Sequence, residues 1–250
     1  MTVHVDHRDG VRVLTLDDPE RRNALSASMV DEIVAAVHAA EADDETGAVV
    51  VTGAPPAFCS GADTSNLRAL GGTESSDSGS VRSLYDGFLA VRNCTLPTVA
   101  AVNGPAVGAG FNLALCCDVR LAGESARFDS RFTTIGLHPG GGHTWMLDRA
   151  VGPQAAAAMV LFGERVDGRR AAELGLAWRC VPDTELLDDA RALATRAASA
   201  PRDLLRAVKA SLMESPWQPD FASAVAVELD RQQESFRRGW VAERLAARRS

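Results

Sequence analysis

No stretch of this 250-residue sequence approaches the ~20 consecutive apolar residues that a membrane-spanning helix needs. The N-terminus, Met1-Thr2-Val3-His4-Val5-Asp6, has no apolar centre of the kind a secretory signal carries, so a cytoplasmic location is expected. The five cysteines (Cys59, Cys94, Cys116, Cys117 and Cys180) form no CxxC pair and no metal-ligand spacing. An odd count without a signal reads as reduced, buried thiols, and no metal is expected. Basic charge is also short: 26 Lys and Arg against 33 Asp and Glu leave a formal net charge of −7. That argues against a general nucleic-acid binder. It leaves room for a local anion site, because arginines cluster at Arg21-Arg22 and again near the C-terminus. No GxSxG is present, which disfavours a serine hydrolase built on the nucleophile elbow. Gly108-Ala109-Gly110 is followed by Leu113, where a dinucleotide fingerprint requires a small residue.

What remains suits one substantial α/β domain, alone or with a helical extension. Residues 2–7 and 11–16 alternate apolar and polar around Asp9-Gly10, which predicts a hairpin. Ser26 is placed to cap a helix over 27–42, with Met29, Ile33, Val34 and Val37 facing inward. Buried strands are predicted at 48–52, 98–102 and 118–122, with a helix from Gly108 through Leu115. Strands alternating with helices indicate α/β layers. The low-complexity stretch Gly71–Ser80 is expected to be a mobile loop, either a lid or plain surface. From about residue 153 the pattern turns helical, with one short strand near Ala177–Val181. The expected division is an α/β core over 1–180 and a helical region over 181–250.

Two segments carry the chemistry. Phe58-Cys59-Ser60-Gly61-Ala62-Asp63 and Asn103-Gly104-Pro105-Ala106-Val107-Gly108-Ala109-Gly110 both place small residues where backbone N–H groups can approach a ligand closely. Two such N–H groups aimed at one point form an oxyanion hole, which stabilises negative charge developing on a carbonyl oxygen.

These segments resemble the enoyl-CoA hydratase/isomerase (crotonase) family. The resemblance continues through Glu20–Leu25, Cys117-Asp118, Ala126-Arg127-Phe128, Gly136–Gly142 and Ala171–Leu176, in family order over roughly residues 12–182. It implies a ββα spiral superhelix, a helical C-terminal oligomerisation region, and a homotrimer or dimer of trimers. It also implies fatty-acid metabolism with an acyl-CoA thioester as substrate, coenzyme A entering as part of that substrate and no separate cofactor. By position, the two oxyanion donors resemble the N–H groups of Ala62 and Ala109. Arg22, Asn23 and Ala24 fall where the family holds the nucleotide end. Ser60, Gly61, Asp63, Thr64 and Ser65 fall on the pantetheine side, and Gly108 lines the hole. Ser65 stands where a hydratase often has Lys, with Arg68 as a possible substitute. Asp63 also reads as a residue that fixes its own turn.

The chain departs from the family pattern at the acid–base positions. A hydratase of this family uses two glutamates, and here Asn112 and Phe132 occupy those positions. Asn can hold a water but cannot accept a proton near neutral pH. Losing general acid–base groups usually costs ~100–10,000-fold each, so ordinary hydration is doubtful. His138, with Asp129 beside it, is the expected replacement, each with a plain alternative as a turn residue or a salt-bridge partner. His143 opens the next helix, and Phe132, Trp145 and Met146 are expected near the acyl group. The function expected is lyase or isomerase chemistry on an acyl-CoA. The alternatives are a non-catalytic acyl-CoA-binding protein and an acyl-CoA hydrolase using the same hole.

Overall fold

The computed structural model describes residues 2–63 and 78–247, with side chains from Tyr85 on in the second stretch. β1 (Val3–Arg8) and β2 (Val11–Leu16) form the expected antiparallel hairpin. Its turn residues Asp9 and Gly10 have φ of 52° and 73°, the left-handed pair a type I′ turn requires. β3 (Ala48–Gly53), β4 (Thr98–Val102), β6 (Val119–Gly123) and β9 (Arg179–Val181) add to β2 in parallel, in the order β1-β2-β3-β4-β6-β9. A smaller sheet joins β5 (Pro105–Val107), β7 (Arg127–Asp129) and β8 (Val166–Asp167). β8 has no counterpart in the sequence reading: two residues are too few for a periodicity to show.

α1 (Ala27–Ala42) begins at the predicted cap, where the Ser26 hydroxyl accepts the Met29 N–H at 3.2 Å. Met29, Ile33 and Val37 are buried as expected, but Val30 takes the inner place assigned to Val34, which is half-buried. α2 (Ser78–Asn93) begins inside the stretch read as a loop to Ser80, and residues 71–77 lie outside the described residues. α3 (Ala109–Cys116) and α4 (His143–Leu161) follow, and α4 opens at His143 as expected. Gly152, with φ of 76°, and Pro153 break α4 in its middle.

Both faces of the main sheet are covered, so every residue of β3 is buried. Val49 and Val51 pack with Met29, Ile33, Phe58, Phe88 and Phe111 on one face. Ala48 and Val50 pack with Leu186, Ala190 and Ala194 of α6 (Leu186–Ala198) on the other. The boundary drawn at residue 180 therefore falls inside β9, and α6 belongs to the packing of the sheet. α5 (Gly168–Glu173) lies between β8 and β9. Beyond α6 run α7 (Arg202–Glu214), α8 (Phe221–Arg237) and α9 (Trp240–Ala247). α7 is held to the core by Lys209, whose Nζ lies 2.8 Å from the Leu96 carbonyl and 2.7 Å from Asp118. Phe221, Leu212 and Phe236 on these helices are exposed. Cys59, Cys94, Cys116 and Cys117 are buried free thiols, and Cys180 is half-buried. No helix among the described residues is long and apolar enough to cross a membrane.

α3 lies close against the segment that precedes Ala62. A Cβ on Gly110 would lie 2.2 Å from the Cys59 carbonyl oxygen, so no larger residue fits without moving α3. Gly110→Ala is expected to cost about 1–3 kcal/mol by overpacking. Gly87→Ala on α2, where the nearest atoms are ordinary 3.5 Å contacts with Val30, should be neutral or slightly stabilising. Urea melts of the two variants measure this; equal midpoints would contradict the contact.

Candidate active site

The segment 58–63 runs as a short strand between residues 22–25 and β5. Phe58 and Cys59 donate to the Pro105 carbonyl at 3.1 Å, and Val107 donates to the Cys59 carbonyl at 3.0 Å. On the other side Leu25 donates to Gly61 at 2.8 Å and Asp63 donates to Leu25 at 3.3 Å. In this parallel bridge the neighbours of Ala62 make the bonds, so its own N–H points away from Leu25. Gly61, at φ 99°, lies against β5: a Cβ there would meet the Val107 carbonyl at 2.6 Å and the Ala109 nitrogen at 3.5 Å. Ala109 is the first residue of α3, and Gly108 before it turns the chain at φ 53° and ψ −114°. An N–H at that helical position has no acceptor within its own helix. The fold thus brings the segment that carries Ala62 against the first residue of α3, Ala109.

Asn23 has a different part from the nucleotide contact expected of it. It is fully buried, with Nδ2 donating to the carbonyls of Ala54 at 2.8 Å and Ala57 at 2.7 Å, while Oδ1 accepts the Asp18 N–H at 2.9 Å. Asn23 therefore braces the approach to Phe58 and its side chain is out of a ligand's reach; Ala24 is buried as well. Arg22 is exposed, and its carbonyl accepts the Ser60 N–H at 3.0 Å. Arg21 bridges Asp18 at 3.1 Å and Asp63 at 3.2 Å, while its carbonyl accepts the Ser60 hydroxyl at 3.0 Å. Asp63 is thus ion-paired beside Ala62. Thr64, Ser65 and Arg68 lie outside the described residues.

Behind Ala109 lies a buried polar cluster that the sequence reading missed. His143 Nδ1 is 2.8 Å from Asn112 Oδ1, and His143 Nε2 is 2.8 Å from the Ser130 hydroxyl. Asn112 Nδ2 donates to the Gly140 carbonyl at 3.0 Å, which fixes Oδ1 as the acceptor. His143 must then carry its proton on Nδ1, leaving Nε2 to accept from Ser130. Phe111 meets the imidazole edge-on at 5.2 Å between centroids and Phe132 covers it at 5.0 Å. Burial in this apolar sleeve pushes the imidazole down to about 4, so it is neutral at physiological pH. The Asn112 amide is bonded to His143 and Gly140.

The expected acid–base pair is not assembled. His138 sits on the exposed loop with Nδ1 bonded to the Pro139 carbonyl at 2.7 Å, a turn residue. The nearly buried Asp129 carboxylate is taken up by Arg131 at 2.9 Å and Arg165 at 3.1 Å, which makes it a salt-bridge partner. Trp145 stacks on Trp217 at 5.7 Å under Arg149, lining a cavity of about 540 Å³ with Asp118 and Lys209. Met146 is buried and borders the same cavity. Phe132 lies near Gly108, its ring tip 3.9 Å from where a Gly108 Cβ would be.

The sequence model of the enoyl-CoA hydratase/isomerase family matches residues 6–243. A probable enoyl-CoA hydratase of Mycobacterium tuberculosis is 48% identical over 95% of this chain and 93% of its own length. The 1,2-epoxyphenylacetyl-CoA isomerase of Escherichia coli is 34% identical over 81% of this chain and 78% of its own. Among solved structures, an enoyl-CoA hydratase from Polaromonas superposes with a TM-score of 0.91 at 30% identity, covering 98% of this chain and 95% of that one. An enoyl-CoA hydratase subunit from Geobacillus kaustophilus gives 0.90 at 30% identity, covering 99% and 94%.

The depressed His143 value has a consequence for stability. The imidazole titrates near 6.5 when unfolded and about 4 when folded. Between those values the unfolded chain binds the extra proton, so this contribution is complete above 6.5 and is lost as pH falls toward 4. Its size is on the order of 3 kcal/mol. His143→Gln removes it, so the stability gap between wild type and variant in urea melts should narrow markedly from pH 7.5 to 4.5. A gap constant across that range would contradict a neutral, buried imidazole.

Proposed function

The chain belongs to the enoyl-CoA hydratase/isomerase family, and we propose that it holds an acyl-CoA thioester with the carbonyl oxygen between the N–H groups of Ala62 and Ala109. Loss of an α-proton turns that oxygen into an enolate, and the two donors with the N-terminal end of α3 stabilise the charge. The exposed Arg22 and the Ser60–Asp63 rim line the approach for the coenzyme A portion. The reaction is proton transfer at the acyl chain, in the lyase or isomerase class, rather than ordinary hydration.

What carries this reading is the fate of positions 112 and 132. Neither offers a carboxylate: the Asn112 amide is bound to His143 and Gly140, and the Phe132 ring lies on the imidazole. The donors for an oxyanion remain while the two glutamates of a hydratase do not. The same observation favours a second reading, an acyl-CoA-binding protein without turnover.

Incubation with a short enoyl-CoA in heavy water, followed by mass measurement of the thioester, separates the readings. Deuterium uptake without stoichiometric addition of water is expected. An unchanged mass with retained binding points to the second reading, and release of free coenzyme A points to a hydrolase. Ala109→Pro deletes one donor at a helical position that tolerates proline well. It should lower uptake by ~100–1,000-fold with little change in the circular dichroism spectrum. Undiminished uptake in the folded variant would contradict the role of Ala109.

A further inference from the structure

We propose that Tyr85 sets the acyl specificity of this site: its hydroxyl binds an oxygen carried by the acyl chain and so selects hydroxylated acyl groups over plain hydrocarbon ones. The proposal rests on the acyl-CoA reading above and adds the class of acyl group to it.

Tyr85 is the one tyrosine of the chain. It stands on α2 one turn before Phe88, with 5.4 Å between the ring centroids. Phe88 is fully buried and marks the inward side of α2; Tyr85, three residues earlier, shares that side and is half-buried. Both rings reach the loop before α4. A Cβ on Gly141 would lie 2.5 Å from Phe88 Cζ, and a Cβ on Gly140 would lie 2.3 Å from the Tyr85 hydroxyl. Gly141 and Gly142 have φ of 64° and 82°, whereas Gly140 is not in the left-handed region, so its backbone does not call for glycine. What the missing Cβ at 140 leaves room for is the phenol.

The same loop residue is tied to the start of α3. The Gly140 carbonyl accepts from Asn112 Nδ2 at 3.0 Å, and the Asn112 N–H donates to the Gly108 carbonyl at 3.0 Å. Two hydrogen bonds therefore link the turn before Ala109 to the residue against which the hydroxyl lies. Asn112 is buried in this link, while Ala109, Gly140 and Tyr85 are each half-buried.

The hydroxyl is open to a ligand. Tyr85 Oη makes no hydrogen bond among the described residues, and it is not one of their buried orphaned polar atoms, so solvent reaches it. The Asn112 amide, by contrast, is bonded at both ends, to His143 and to Gly140. A hydrocarbon chain laid over the phenol would strip its water and return no hydrogen bond, which costs binding. An oxygen on the chain would take the place of that water. A group that hydrogen-bonds a substrate oxygen also discriminates far more sharply than an apolar wall does by size.

The test compares dissociation constants of butanoyl-CoA, 3-hydroxybutanoyl-CoA and 4-hydroxybutanoyl-CoA by calorimetry, with a thermal melt for each variant. Wild type should bind at least one hydroxylated thioester about tenfold more tightly than butanoyl-CoA, the factor expected of one net hydrogen bond. Tyr85→Phe should erase that preference, with butanoyl-CoA bound within about threefold of wild type or more tightly. Gly140→Ala puts a methyl group where the hydroxyl lies and should erode the preference in the same way; it carries the test if Tyr85→Phe does not fold. Labelling with 3-fluorotyrosine gives a single fluorine resonance, because Tyr85 is the one tyrosine. That resonance should move on adding the preferred thioester and stay in place on adding coenzyme A alone. Equal affinities in wild type, a preference that survives in folded Tyr85→Phe, or a resonance unmoved by the bound thioester overturns the proposal. In each of those cases, deuterium uptake that is lost in Ala109→Pro still upholds the oxyanion reading. Failure of wild type to bind any of the three thioesters overturns both.

Discussion

Everything at this site depends on one backbone contact, the first turn of α3 pressed against the segment 58–62. Gly110 permits it, since a single added carbon would fall 2.2 Å from the Cys59 carbonyl. Gly61 permits it from the other side, at φ 99° and with no room for a Cβ beside Val107. The contact sets the Ala62 and Ala109 nitrogens on neighbouring turns without using a side chain of either residue. Asn23 then locks the approach by satisfying buried carbonyls at Ala54 and Ala57, groups whose burial without partners would be costly. Substituting the alanines with other small residues changes little in this arrangement, whereas enlarging either glycine changes its geometry.

The second constraint is the buried imidazole beside the first turns of α3. A carboxylate at 112 or 132 would sit against His143, which packs on Phe111, and such a charge needs water or a cation to be tolerated. Here the same space is filled by an amide, a phenyl ring and a neutral imidazole, each satisfied by a neighbour. The cluster therefore keeps polarity beside the first turns of α3 while avoiding buried net charge. Asp129, which does carry charge, is held away from it by two arginines.

Much of this was legible in the chain. The hairpin at Asp9-Gly10, the cap at Ser26 and the buried, valine-rich β3 follow from local rules, and the structure agrees with each. Family motifs point to Ala62 and Ala109 as the donors to test, because a backbone donor is marked by small residues on either side. The missed features are those set by distant partners. Ser130 and His143 are separated by a loop, and nothing in their spacing signals a shared hydrogen bond. Trp145 faces outward because α7 and Trp217 supply a stacking partner more than 70 residues later. Asn23 reads as a ligand contact from its motif, yet a left-handed residue with φ of 57° turns its amide inward to the core. His138 was attractive for its intrinsic basicity, but proline beside it gives the ring a local carbonyl instead of the pocket.

The central claim is that two backbone N–H groups receive the carbonyl oxygen of an acyl-CoA. The most direct measurement is a crystal structure with an unreactive acyl-CoA analogue in which sulfur is replaced by a methylene group. The account places its carbonyl oxygen ~2.7–3.1 Å from both the Ala62 and Ala109 nitrogens. A carbonyl bound away from either nitrogen, in a complex with the coenzyme A portion well seated, would contradict it.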